Sequence, residues 1–159
     1  MTKVQNCSRC SVRLAGLAFL TMIMAWASPQ LHAEDVLEVV VTGNDMMQFD
    51  NKTLEVPVGK KIKLTFKHVG KMPKNVMGHN LVILNKGVDL VAFATAAMGA
   101  AATEYIPPAK KDEVLAFTKL LGGGEEDTIE FTVEEAGEYQ YLCSFPGHYG
   151  MMKGTLTAK

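Results

Sequence analysis

Cysteine, histidine and tryptophan are scarce in this chain of 159 residues, which contains three, four and one of them. Cys7 and Cys10 lie close to the N-terminus, so Cys143 is the only cysteine in residues 34–159. Disulfide scaffolds need cysteines in even numbers. An internal disulfide in residues 34–159 is therefore excluded, and the remaining thiol is free, paired with another molecule or occupied. A bound metal would protect it.

An excess of positive charge is also lacking. The chain has 16 basic and 17 acidic residues. Residues 1–33 contain the basic Lys3, Arg9 and Arg13 and no acidic residue. Residues 34–159 thus keep 13 basic residues (16 less 3) against 17 acidic ones, a net charge of −4. Nucleic-acid binding requires a basic cluster. Its absence excludes nucleic acid as a partner.

No apolar run is long enough to cross a bilayer, which takes about 20 residues. The longest run spans residues 14–27, follows a basic start and leads to the small residue Ala33. These features are typical of a secretory signal peptide, and a permanent membrane anchor is the less favoured alternative. We predict a signal peptide over residues 1–33, although cleavage after Ala27 also fits. The prediction implies export to a periplasm, no stable membrane insertion after processing, and one domain over residues 34–159.

Short apolar and β-branched segments separated by Gly and Pro dominate that domain. The segments 61–66 and 128–133 alternate apolar and polar residues, as half-buried strands do. The alanine-rich segment 87–106 differs, and its composition together with Pro107 and Pro108 predicts one inserted helix or two short ones. The expected fold is all-β, an antiparallel sandwich or barrel, with strands at 37–41, 53–56, 61–66, 80–84, 128–133, 138–142 and 152–157.

The strongest chemical signal lies in residues 143–152. Cys143 offers a thiolate, His148 an imidazole, and Met151 and Met152 offer thioethers on a segment that Pro146-Gly147 can bend. A second imidazole, His79, follows Gly78 at the start of a predicted strand. Two imidazoles, one thiolate and a weak axial thioether are the ligands of a blue-copper electron-transfer site.

Other functions fit these residues less well. A copper enzyme would need about three more imidazoles for a second centre, and only His68 is left in residues 34–159, so we expect no enzyme activity. Zinc accepts two His and one Cys but cannot change its oxidation state. A copper carrier or chaperone without a redox role is the main alternative, although carriers favour exposed ligands. A purely structural sandwich would leave the combination of Cys143, His148 and His79 unexplained.

Residues 73–80 and 143–152 resemble the two copper-binding segments of azurins, and residues 43–49, 118–120 and 152–157 resemble further azurin segments. The resemblance implies a Greek-key cupredoxin sandwich or barrel of about eight strands with a helical flap. It implies one type 1 copper ion bound by His79, Cys143 and His148, with Met152 as axial ligand and the Gly78 carbonyl as a weak opposite ligand. Asn80 would tie the two ligand segments together.

The resemblance also implies partners. Redox proteins, a cytochrome or a copper reductase or oxidase, would dock transiently on an apolar patch around the solvent-facing edge of His148. Two departures from the family accompany these expectations: Leu37 and Lys60 occupy the positions of a common disulfide, and Leu81 replaces a buried tryptophan. The expected patch consists of Met47, Met72, Val76, Met77, Phe145, Pro146 and Gly150.

Overall fold

The computed structural model describes residues 35–159, so the signal peptide predicted for residues 1–33 lies outside the described residues. The described part contains two α-helices, α1 (Lys74–Met77) and α2 (Leu90–Ala97), and two 3-10 helices, Ala101–Thr103 and Pro108–Glu113. No helix in this range has the length and apolar character needed to cross a membrane. Its strands are β1 (Leu37–Asn44), β2 (Gln48–Phe49), β3 (Thr53–Val56), β4 (Lys61–His68), β5 (Val82–Leu84), β6 (Val114–Phe117), β7 (Glu126–Thr132), β8 (Gly137–Leu142) and β9 (Lys153–Ala158).

The strands form two sheets, with orders β2-β1-β4-β7 and β3-β9-β8-β5-β6. This two-sheet, nearly all-strand architecture confirms the predicted fold class. The sheets are mixed, however, because β1 pairs with β4 and β3 pairs with β9 in parallel. Parallel neighbours need a crossover rather than a hairpin. The chain supplies it, since β3, in the other sheet, lies between β1 and β4 in sequence.

Alternating side chains explain how one face of each sheet is buried. In β4, Ile62, Leu64, Phe66 and His68 are buried and the residues between them are only partly covered. Buried side chains from both sheets form the main core, which reaches Cys143 and Met152 at one end. Each fully buried aliphatic or aromatic side chain contributes about 1.5–3 kcal/mol of transfer free energy.

The inserted helical segment covers the outer face of β5. All three residues of β5 are buried, since Val82 and Leu84 pack against Leu90, Phe93 and other residues of a second, smaller core. The Asp89 carboxylate caps α2 by accepting hydrogen bonds from two backbone N–H groups, at 2.9 and 3.1 Å. The predicted helical segment 87–106 thus forms α2 and the 3-10 helix Ala101–Thr103.

Candidate metal centre

The two histidines and the cysteine come from two separated segments of the chain. His79 lies between α1 and β5 and exchanges two backbone hydrogen bonds with Leu121, at 3.0 and 2.7 Å. Cys143 and His148 lie in the loop between β8 and β9. That loop is closed by the hydrogen bond from the Cys143 N–H to the Met152 carbonyl, 2.9 Å. Gly147 has φ 82°, a left-handed conformation that glycine adopts without steric cost.

Three donor atoms of these residues form a small triangle. Nδ1 of His79 and Nδ1 of His148 are 3.1 Å apart, and the Cys143 Sγ lies 3.8 and 3.6 Å from them. The radius of the circle through three atoms is the product of the sides divided by four times the triangle's area, here about 2.0 Å. Zinc, for comparison, binds imidazole nitrogen at about 2.0–2.1 Å and thiolate at about 2.3 Å. The donor set therefore fits one first-row transition-metal ion.

Hydrogen bonding fixes which nitrogen of His79 is free. Its Nε2 lies 2.9 Å from the Asn44 carbonyl oxygen, which can only accept, so Nε2 carries the proton and Nδ1 keeps its lone pair. Burial lowers the pKa of His79 to about 4, although the bond to Asn44 opposes that shift. Burial likewise lowers the pKa of His148 to about 4. At neutral pH both imidazoles are uncharged and able to bind a cation.

The Cys143 thiol is fully buried, at 0% exposure. Burial raises its pKa to about 12, while hydrogen bonds from the backbone N–H groups of Asn80 and Phe145 lower it. The thiol is therefore protonated at neutral pH in the absence of a cation. A bound metal would displace this proton, and the two N–H groups then remain directed at the thiolate sulfur.

The neighbouring methionines differ sharply in exposure. Met152 is 0% exposed and belongs to the main core, whereas Met151 is 53% exposed. The Gly78 carbonyl oxygen lies 3.9 Å from the Cys143 sulfur. A side chain on Gly78 would collide with the Lys74 carbonyl and press on Leu120, so only glycine fits there.

Asn80 joins the two ligand segments by its side chain, as the sequence predicted. Its Oδ1 accepts from the Ser144 N–H at 2.8 Å, and its Nδ2 donates to the Ser144 Oγ at 2.8 Å. Nδ2 also donates to the Glu104 carbonyl at 3.2 Å. Asn80 and Ser144 are both buried, so the two bonds between them form where water does not compete for them.

His68 lies beside the site without belonging to the donor triangle. Its ring packs edge-on against His79 with centroids 4.4 Å apart, and its Nε2 is 3.3 Å from Oδ1 of Asp45. The Asp45 carboxylate accepts from the Lys71 N–H at 2.8 Å, and this bond holds the pKa of Asp45 below its usual value. Asp45 therefore offers a negative charge to the buried His68.

The seven residues predicted to form an apolar patch around His148 keep some exposure. None of the seven residues predicted to form the patch is buried, while His148 keeps 4% exposure and lies under the Phe145 ring at 4.7 Å. Met46, at 65%, and Met151 are further exposed methionines. Tyr105, which sequence analysis did not single out, lies 5.1 Å from Phe145, and no sequence pattern marks it.

A two-sheet sandwich with a buried His-Cys-His donor set at one end is the arrangement of a cupredoxin, a mononuclear copper protein. The pattern that defines the copper-binding plastocyanin/azurin family matches residues 36–159. The chain belongs to this family.

Individual relatives agree with this assignment. An azurin of Bordetella pertussis is 43% identical over 144 residues, which cover 88% of this chain and 94% of the relative. An azurin of Pseudomonas aeruginosa is 38% identical over 151 residues, 92% of this chain and 99% of the relative. The structure of azurin iso-2 of Methylomonas sp. strain J superimposes with a TM-score of 0.70 at 37% identity, covering 77% of this chain and 98% of that one. The chain is thus a blue-copper protein of the electron-transfer kind.

Proposed function

We propose that this chain is a periplasmic carrier of single electrons. His79, Cys143, His148 and Met152 would hold one copper ion, and the Gly78 carbonyl would be a further, weak ligand. The bound copper supplies the one-electron redox chemistry. The single observation that carries the proposal is the donor triangle, whose common centre lies about 2.0 Å from all three atoms, the distance a metal–imidazole bond requires.

The protein's contribution is to hold the donors still. His79 is fixed by its bond to Asn44 and by the paired backbone bonds to Leu121. The Asn80–Ser144 bonds tie the His79 segment to the loop that carries Cys143. Because these contacts do not involve the ion, the donor positions change little when its charge changes by one. A small rearrangement means a small barrier to electron transfer.

Electrons enter and leave near His148. It is the only one of the three ligands with any exposure, 4% against 0% for His79 and Cys143. The apolar patch around it suits transient docking of a redox protein such as a cytochrome or a copper reductase or oxidase. Its methionines are adaptable, since an unbranched thioether side chain can repack against different partners.

The buried donors argue against a copper carrier. Handing a metal ion to a partner requires ligands that the partner can reach, and two of these three have no exposed surface. An enzyme centre is equally disfavoured within residues 35–159, where the one remaining histidine, His68, faces Asp45. Export rests on the basic start and apolar run of residues 1–33, and the periplasm is its proposed destination.

The test is a visible absorption spectrum of the protein loaded with Cu(II), beside the variants Cys143→Ser and Met151→Leu. We expect an intense blue band that ascorbate bleaches reversibly, lost in Cys143→Ser and kept in Met151→Leu. Export is checked separately by mass spectrometry of the N-terminus of periplasmic protein. A colourless loaded protein would refute the electron-carrier proposal, and copper transferred rapidly to a chelator would favour the carrier alternative.

A further inference from the structure

Two consecutive residues beside the metal loops adopt a backbone conformation that L-residues rarely take. Glu104 has φ 52° and Tyr105 has φ 65°, and neither is glycine. A left-handed conformation at an ordinary residue is unfavourable, and it persists only where the surroundings enforce it. Here it ends the 3-10 helix Ala101–Thr103, and the Tyr105 N–H donates to the Ala100 carbonyl at 2.9 Å.

Glu104 contacts the His79 segment on three sides. Its carboxylate pairs with the Lys74 ammonium at 3.0 Å and accepts from the Leu120 N–H at 3.2 Å. Lys74 begins the helix α1 that ends just before Gly78, and Leu120 precedes the Leu121 that pairs with His79. Its backbone carbonyl accepts from Nδ2 of Asn80 at 3.2 Å. This carbonyl reaches Asn80 because the chain reverses at Glu104.

The Glu104 carbonyl and the Ser144 N–H both fix how the Asn80 amide is oriented. A carbonyl can only accept, so the amide atom facing it must be the NH2 group. The two Asn80 amide hydrogens are then used by Glu104 and Ser144, and Oδ1 is left to accept from the Ser144 N–H. The backbone N–H of the same Asn80 donates to the Cys143 sulfur. Glu104 is thereby one residue away from a hydrogen bond to the Cys143 sulfur.

Tyr105 extends the contact to the other ligand loop. Its ring meets Phe145 edge-on at 5.1 Å, and Phe145 lies 4.7 Å from the His148 ring. Edge-to-face aromatic pairs of this kind stabilise a contact beyond the burial of their surface. The strained dipeptide thus touches the segments that carry all three metal donors.

We propose that Glu104 and Tyr105 are positioning residues of the metal centre, which hold Asn80 and Phe145 in place from the helical insert; the inference rests on the proposed function. The left-handed turn makes both contacts possible, since it presents the Glu104 carbonyl to the His79 segment and the Tyr105 ring to the loop that carries Cys143 and His148. Hydrogen bonding around the cysteine sulfur tunes the potential of a blue-copper site. The turn therefore acts on the copper without touching it.

The experiment compares Glu104→Val with Glu104→Asn. Both remove the carboxylate and its contacts to Lys74 and Leu120, but asparagine tolerates the left-handed conformation whereas a β-branched residue does not. In the metal-free protein, NMR should show the Asn80 side-chain amide exchanging roughly tenfold faster in Glu104→Val, as loss of one hydrogen bond implies, and unchanged in Glu104→Asn. In the copper-loaded protein, Glu104→Val should shift the reduction potential and the copper hyperfine splitting more than Glu104→Asn does, because both lose the carboxylate and only Glu104→Val also loses the left-handed turn.

Equal behaviour of the two variants would overturn the inference, since their difference is the backbone conformation alone. If Glu104→Val does not fold, Glu104→Ala takes its place, because alanine also disfavours the left-handed turn. A loss of thermal stability without any change in potential, splitting or amide exchange would mean a merely structural turn and would likewise overturn it. A parent protein that is not blue would refute the proposed function instead, and the amide exchange could still be read.

Discussion

Metal loading at neutral pH should release one proton per copper ion, and the proton should come from Cys143. The pKa of the buried thiol is raised to about 12, so it is protonated at pH 7. The pKa values of His79 and His148 are lowered to about 4, so each imidazole is about 0.1% protonated at pH 7. Any change of tautomer at His148 moves a proton between two nitrogens of one ring and releases none.

The pH dependence of copper affinity follows from these values. Between about pH 5 and pH 10 the logarithm of the apparent association constant should rise by about one for each pH unit, because one proton is exchanged. Below pH 4 the two protonated imidazoles also compete with the metal, and the slope should steepen toward about three. The measurement is isothermal titration calorimetry in buffers of different ionisation enthalpy, which gives the proton count directly.

Cys143→Ser is the control for this count, since it removes the titrating thiol and keeps both imidazoles. We expect it to release no proton near pH 7. A count near zero in the unmodified protein would refute the reasoning, because it would mean that the thiolate already exists in the metal-free state. A count near two would mean that an imidazole is protonated at pH 7 despite its burial.

Two further predictions concern acid stability and the axial ligand. The metal-free protein should lose stability as the pH falls from about 6.5 to 4, because the unfolded chain protonates His79 and His148 in that window while the folded chain does not. Urea titrations at several pH values measure this loss, and it should be smaller in His148→Gln. Met152→Leu should raise the reduction potential measured by voltammetry, since a thioether donor to Cu(II) is lost. Met151→Leu should leave the potential unchanged because Met151 is exposed. Equal shifts in both variants would contradict the axial assignment.

The metal donors were predictable because they lie close together in sequence or beside a recognisable glycine. Cys143 and His148 share one loop, and its residues Pro146-Gly147 predict a turn. The strands β4 and β7 were predictable for a similar reason, since alternation of apolar and polar residues is local information. The proposal of Met152 rather than Met151 as a ligand came from family spacing, and the burial of Met152 and the exposure of Met151 favour it.

What escaped prediction depends on contacts between distant segments. The two-residue strand β2 is too short to show a pattern, and β6 is an edge strand whose residues are mostly half-buried. The parallel pairing of β1 with β4 follows from the crossover and not from either strand's composition. The roles of the Asn44 and Glu104 carbonyls are invisible in a sequence, because every residue has a carbonyl and only the fold decides which one faces an imidazole or an amide.

Leu37 and Lys60, the positions where the azurin resemblance would place a disulfide, carry no cysteine. Leu37 begins β1, and Lys60 forms an ion pair with Asp35 at 2.6 Å. An exposed ion pair contributes about 0–1 kcal/mol to the free energy of unfolding, whereas a native disulfide contributes about 2–5 kcal/mol. The ion pair therefore stabilises the fold less than a disulfide would. The bonds at Asn44, Asn80 and Leu121 that hold the donors are separate from this link. Lower global stability is therefore compatible with a rigid metal centre, because rigidity there is set by the local hydrogen bonds.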